Sequence, residues 1–257
     1  IVGRRREVAQ ARAEWRKAAA GDSRVLLISG EPGIGKTRLV RELISQVTVT
    51  GGIVLTCECH SGGSAPYAPL AQMIEQAIER SGKGGLPARA LADLIRLAPS
   101  LQPRFPDVPP NSPLDPQADQ HRLCDSVFLL MSWLAQQAPV TLVVEDIHWA
   151  DSGTLSLLRY LTSRGHACNL ALLSVLTYRE ADTGGASILE DLLQELDRAD
   201  LATHISLARF NKEQTAELLA VILQREPFPK VVDVVDQETD GNPFFIEEVS
   251  KALIEQS

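Results

Sequence analysis

No stretch of the 257 residues approaches the roughly 20 consecutive apolar ones that a membrane-spanning helix needs. No secretory leader is visible. Cysteine is sparse: Cys57, Cys59, Cys124 and Cys168 form neither a CxxC pair nor a regular framework. That excludes a disulfide scaffold and points to a reducing, cytoplasmic setting. Cys57-Glu58-Cys59-His60 could seed a metal site, but a second ligand pair at zinc-type spacing is lacking, and alternation along a strand end explains it as well. Positive charge is short too. Against 33 Asp and Glu stand 25 Lys and Arg, a formal charge of −8. Direct nucleic-acid binding is therefore not expected, because neutralising phosphates needs a cationic surplus. The chain begins at Ile1 and ends inside a helical pattern, so a segment of a longer protein is expected.

What is present is an alternation of short apolar runs with amphipathic segments, the pattern of a parallel sheet covered by helices. Strands are predicted at residues 25–29, 53–57, 141–145, 170–178 and 202–207. None alternates cleanly, so both faces of each should be buried. Leu39, Val40, Leu43, Ile44 and Val47 fall on one helical face. Asp151 suits an N-cap, with Gly165 as the stop of that helix. Another helix is predicted over 117–137. Residues 81–115 are proline-rich and read as a short helix followed by an irregular insertion. Beyond residue 207 only helices are predicted, over 211–225, 230–238 and 243–255, with Asn211 and Gln214 as a capping box. The expected fold is α/β: a P-loop nucleotide-binding core over 1–207, with a parallel five-stranded sheet between helices, and the start of a small helical lid over 208–257.

Gly30-Glu31-Pro32-Gly33-Ile34-Gly35-Lys36-Thr37 matches GxxxxGK[ST] between a predicted strand and a predicted helix. Glycines let successive N–H groups turn inward around phosphates, and the helix dipole adds positive potential. Lys36 would neutralise the β- and γ-phosphates, and the Thr37 hydroxyl would ligate magnesium. Average residue usage gives such a match by chance in roughly 1% of chains this long, and the correct flanks lower that further. The apolar run 141–144 ends in Glu145-Asp146. One carboxylate there can hold the magnesium shell and the other can orient or deprotonate water. Glu145 is assigned to the metal and Asp146 to the water, although the roles could be exchanged. Arg179 follows the fourth predicted strand and could reach a γ-phosphate, or pair with Glu180 or Asp182 at the surface.

In this order the motifs resemble those of STAND-class AAA-type ATPases, signal-transduction ATPases with numerous domains. They are similar in particular to the module of large ATP-binding LuxR-type transcriptional regulators and related multidomain bacterial signalling proteins. Ile1-Val2-Gly3-Arg4-Arg5-Arg6-Glu7 is similar to an element placed beside adenine. The stretch from Leu27 through Arg38 to Leu39 is close to the family's P-loop. Glu145-Asp146-Ile147-His148-Trp149-Ala150-Asp151 resembles its extended acidic strand end, and Thr177-Tyr178-Arg179 its sensor arginine. Gly241-Asn242-Pro243-Phe244-Phe245 resembles its GxP element, whose proline packs near the base. The resemblance implies Val2, Gly3, Arg4 and Pro243 around the base, and Gly30, Pro32, Gly33, Ile34, Gly35, Lys36, Thr37 and Arg38 around the phosphates. Each has a plainer competitor: Gly3 and Arg4 in an N-terminal turn, Pro243 as a helix start, His148 and Trp149 as loop packing, Phe244 and Phe245 as lid core.

The expected function is an ATP-binding, slowly hydrolysing regulatory switch using ATP or ADP with magnesium. Its partners would be other domains of the same chain, such as a DNA-binding helix-turn-helix, a cyclase or TPR-like repeats, with nucleotide-dependent self-association. A scaffold without turnover, or a small-molecule kinase, is the alternative. A GTPase is disfavoured, because Asn211-Lys212-Glu213-Gln214 lacks the final Asp of a guanine-reading NKxD.

Overall fold

The structure, a computed structural model, describes residues 1–62, 66–81, 85–182 and 188–255. In chain order the elements are α1 (Arg5–Ala19), β1 (Arg24–Gly30), α2 (Lys36–Val49), β2 (Ile53–Glu58), α3 (Ala68–Ser81), α4 (Ala88–Leu97) and α5 (Pro116–Ala135). They continue with β3 (Val140–Glu145), α6 (Ser152–Ala167), β4 (Leu172–Tyr178), α7 (Ile188–Arg198), β5 (Ala202–Leu207), α8 (Lys212–Leu223), α9 (Pro229–Thr239) and α10 (Pro243–Glu255). The expected α/β architecture is the observed one: a five-stranded sheet in the order β2-β3-β4-β1-β5, every pair parallel.

Side chains along a strand alternate between faces, so a central strand apolar at every position feeds two cores. On β1, Val25 and Leu27 enter a core built with α3 to α7, while Leu26 and Ile28 enter one built with α1 and α2. Leu142 and Val144 of β3 join the first and Val143 the second. After β5 the strands stop. Phe210 packs with Leu219 of α8, Val235 of α9 and Ile246 of α10 in a separate small core.

The local signals held in most places. Asp151 Oδ1 accepts from Thr154 N at 3.0 Å, capping α6. Asn211 and Gln214 form the reciprocal capping box of α8. Gly165 does not end α6; it lies buried two residues before the end, where a side chain would press on Ser23 Oγ. Asn169, at φ 51°, turns the chain instead: Asn169 N donates to His166 O and Leu170 N to Gly165 O. That Schellman closure occupies Leu170, so β4 begins two residues later than predicted. The proline-rich stretch carries α4 and then a 3₁₀ turn at Pro99–Arg104, while its residues 82–84 lie outside those described. Buried Asp93 anchors it, accepting from Asn111 Nδ2, Arg122 Nε and Ser126 Oγ. Among the described residues, no helix is long and apolar enough to cross a membrane.

Candidate functional site

A parallel sheet brings all strand C-termini to one edge, where ligands of such folds bind. β4 lies between β1 and β3, so Arg179 emerges between the P-loop that follows β1 and the acids that end β3. Sequence distance hides this neighbourhood.

Residues 30–37 form a turn in which Ile34 N donates to Glu31 O at 3.3 Å, and α2 starts at Lys36. Lys36 Nζ donates to the carbonyls of Gly30 (2.8 Å) and Glu31 (3.1 Å). Burial lowers its pKa from the ordinary lysine value, and Asp146 opposes the shift. Thr37 Oγ1 donates to Glu145 Oε2 at 2.6 Å. Asp146 takes a left-handed backbone, φ 55° and ψ 47°, with its N–H donating to Thr177 Oγ1 at 2.9 Å. The β3 tip is thus tied to β4 two residues before Arg179.

An open cavity of about 670 Å³ lies over the P-loop, and Lys36, Thr37, Arg38, Arg41, Asp146 and Arg179 line it from the core. Pro243, Phe244 and Glu247 of α10 line it from the opposite side. Its four cations, Lys36, Arg38, Arg41 and Arg179, outnumber the carboxylates of Asp146 and Glu247, a balance suited to a polyphosphate. Arg179 also approaches Asp182, Nη1 to Oδ2 at 3.8 Å. Both expectations for this arginine therefore have a geometric counterpart. Arg38 pairs with Glu247 at 2.8 Å, bridging α2 and α10.

Beside it lies a smaller apolar cavity between the N-terminus, the P-loop and α10, lined by Val2, Arg4, Ile34, Arg38, Phe210 and Pro243 among others. The Arg4 guanidinium lies 4.7 Å over the Phe210 ring and donates to Ala208 O at 2.5 Å. Gly3 is not in that lining; its carbonyl accepts from Gln214 Nε2 at 2.7 Å. Among the residues singled out for the phosphates, Pro32, Gly33, Gly35, Lys36, Thr37 and Arg38 line the larger cavity. Gly30 lies beneath, at the end of β1.

Some packing expectations fail. Phe244 and Phe245 are half-exposed rather than lid core: Phe244 lines the cavity over the P-loop, and Ile246 of the same turn is the residue that enters the core with α8 and α9. Trp149 is also exposed, its ring 5.1 Å from His148. The His148 side chain is buried, with Nδ1 3.9 Å from Asp146 and Nε2 3.6 Å from Asp182, both nitrogens lacking a hydrogen bond. Sequence reasoning misses Asn242 and Phe210 as site residues, although Asn242 lies inside the Gly-Asn-Pro string; Asp182 is anticipated only as a surface partner of Arg179.

Burial pushes the Cys59 thiol up to about 12 and the Cys57 thiol up as well. No group of three or more His, Cys, Asp and Glu suited to a metal occurs among the described residues. Magnesium does not require one, since it is held by one or two carboxylates together with substrate phosphates and water. The hard oxygen donors Thr37 and Glu145 beside the cationic cavity fit that ion.

Residues 1–176 match the AAA ATPase domain family, and the chain belongs to it. This agrees with the motif resemblance to a STAND-class AAA module. The uncharacterized protein R02095 of Rhizobium meliloti (strain 1021) is 26% identical over 97% of the chain, which spans 24% of that protein. Among solved structures, the STAND protein with a tetratricopeptide repeat sensor, PH0952 from Pyrococcus horikoshii, aligns over 95% of this chain and 28% of its own, at 14% identity and TM-score 0.53. Cdc6p from Pyrobaculum aerophilum aligns over 98% of this chain and 60% of its own, at 12% identity and TM-score 0.57. At such identities the likeness is one of fold.

Proposed function

We propose that this chain is the ATP-binding and slowly ATP-hydrolysing switch module, of the STAND branch, within a larger signal-transduction or transcription-regulatory protein. One observation carries the reading: the phosphate-side residues of the core and the first turn of α10 line the same cavity. A ligand in that cavity touches both, so its chemical state can set how α8–α10 sit on the sheet.

ATP binds with its base against Val2, Ile34 and Pro243 and its phosphates in the P-loop. Lys36 leaves its carbonyl partners for the β- and γ-phosphates, and Arg179 exchanges Asp182 for the γ-phosphate. Thr37 and Glu145 would hold magnesium, which when bound would supply charge neutralisation to the phosphates. Asp146 orients the attacking water and takes its proton. The water oxygen bonds to the γ-phosphorus, the bond to the β-γ bridging oxygen breaks, and ADP and phosphate form. Loss of the γ-phosphate returns Arg179 to Asp182 and releases the lid, which signals to other domains of the same chain.

Hydrogen exchange in residues 208–255 with ATP and with ADP tests the switch. Distinct protection patterns support it, and indistinguishable ones sink it. Single-turnover hydrolysis separates the switch from a scaffold that binds without turnover.

A further inference from the structure

Asn242 is buried beside the P-loop at the start of α10. Its Nδ2 donates to the carbonyl of Pro32 at 3.1 Å, and its Oδ1 accepts from Phe244 N at 3.1 Å. Phe244 N also approaches the carbonyl of Gly33 at 3.3 Å. Two successive P-loop carbonyls are therefore held from outside the loop by one turn of a helix more than 200 residues away, the separation of Asn242 from Pro32 being 210. The fit is close. Gly33 has φ +75°, and a Cβ there would lie 2.7 Å from Phe244 Cβ and 3.0 Å from Asn242 Oδ1.

A planar trans peptide points its N–H opposite to its C=O, and none of the described peptide bonds is cis. Drawing the Pro32 carbonyl toward α10 therefore turns the Gly33 N–H away from α10. A phosphate cradle works by inward-pointing N–H groups, so the peptide that Asn242 grips is one whose direction matters for phosphate binding.

We propose that Asn242 is a positioning residue for the phosphate cradle, orienting the Pro32–Gly33 peptide from the lid, so that polyphosphate binding and docking of α10 form one linked equilibrium. This rests on the nucleotide-binding reading above. Linkage is reciprocal: if α10 docking improves phosphate binding by some factor, phosphate binding improves docking by the same factor. Lid position is then sensed directly through the P-loop backbone, in addition to any effect of the γ-phosphate on Arg179.

Asn242→Asp is the informative variant. It keeps an acceptor for Phe244 N but removes the donor to Pro32 and sets a carboxylate against a carbonyl. ATP, ADP and adenosine are titrated into wild type and variant by calorimetry, and exchange of the 242–246 amides is followed in each. The expected result is a three- to tenfold or greater loss of ATP and ADP affinity with adenosine affinity unchanged, and loss of the nucleotide-induced protection seen in wild type. Equal ATP and ADP affinity in the two proteins overturns the proposal while leaving the nucleotide reading intact. Equal losses for all three ligands assign Asn242 a general packing role and overturn it too. Should the variant not fold, wild type alone decides: no gain of protection at 242–246 on ADP binding overturns the linkage. Failure of wild type to bind any of the three ligands removes the nucleotide reading itself.

Discussion

Thr37 and Glu145, 108 residues apart in the chain, meet through a 2.6 Å hydrogen bond between hydroxyl and carboxylate. The contact puts the last side chain of the P-loop motif against the end of β3. On the proposed reading Glu145 is the magnesium carboxylate, and Asp146, which lines the open cavity with Lys36 and Arg179, is the residue that activates water. Glu145→Gln should abolish the magnesium dependence of ATP binding. Asp146→Asn should leave that dependence intact and lower kcat by about 10²–10⁴-fold, the usual worth of a general base. Magnesium titrations and steady-state phosphate release check both. If the two phenotypes are exchanged, so are the two roles.

The Lys36 ammonium donates to two loop carbonyls and, among the described residues, to no carboxylate. Lys36→Ala should therefore fold. It should weaken ATP binding about 10- to 100-fold, as expected for losing a charged hydrogen bond worth about 1.5–3 kcal/mol. Adenosine affinity should be unaffected. Calorimetry decides, and full retention of ATP affinity would move the phosphates elsewhere.

His148 sits buried between Asp146 and Asp182, and burial lowers its pKa below the ordinary 6.5, with Asp146 opposing. On acidification the unfolded chain takes up this proton before the folded one does. The stabilisation is therefore complete above about 6.5 and is lost as pH falls through that value toward the lower folded pKa. Thermal midpoints of wild type and His148→Gln at about pH 7.5 and about pH 5.5 test this. The variant should lose less stability across the interval. Parallel losses would assign the pH dependence to other groups.

Gly241 has φ +69°, and a Cβ there would lie 2.1 Å from the Phe210 carbonyl oxygen. Phe210 N donates back to Gly241 O at 2.7 Å, tying the exit of β5 to the start of α10. Gly241→Ala should cost more than the roughly 1–2 kcal/mol of the left-handed backbone alone. Limited proteolysis should show new cleavage within 208–255 with residues 1–207 still resistant. Resistance in the variant equal to that of wild type would show that this contact does not hold α10 to the exit of β5.

Asp93 holds the proline-rich insertion through Arg122, whose side chain is almost as buried. Asp93→Ala leaves Arg122 its ion pair with Asp119 at 2.8 Å but removes the acceptor of Asn111 and Ser126, and should destabilise by about 1–3 kcal/mol. Denaturant unfolding checks this, and an unfolding free energy equal to that of wild type would show that Asp93 does not anchor the insertion.

Most of the fold was legible because its signals are local. Runs such as Val25-Leu26-Leu27-Ile28 announce strands buried on both faces, and Asp151 and Asn211 announce helix starts through side chains that reach only three residues. The stop of α6 is a related case. Residue type points to Gly165, but its packing on Ser23 keeps it in the helix, and Asn169 supplies the turn. Phe244 and Phe245 were expected inside the lid because aromatic residues usually bury. Which face of α10 meets the P-loop depends on contacts with a segment about 210 residues earlier.

The sequence by itself determined that a strand leads into the P-loop and a helix out of it, that an acidic pair ends a later strand, and that helices alone follow the last strand. Each of these is written in residues adjacent in the chain. The tertiary structure decided that β4 lies between β1 and β3, so that Arg179 stands between Lys36 and Asp146. It also decided that Thr37 meets Glu145 and that Asn242 grips Pro32. Strand order and helix docking depend on how whole hydrophobic faces fit together, and no short window of sequence carries that information.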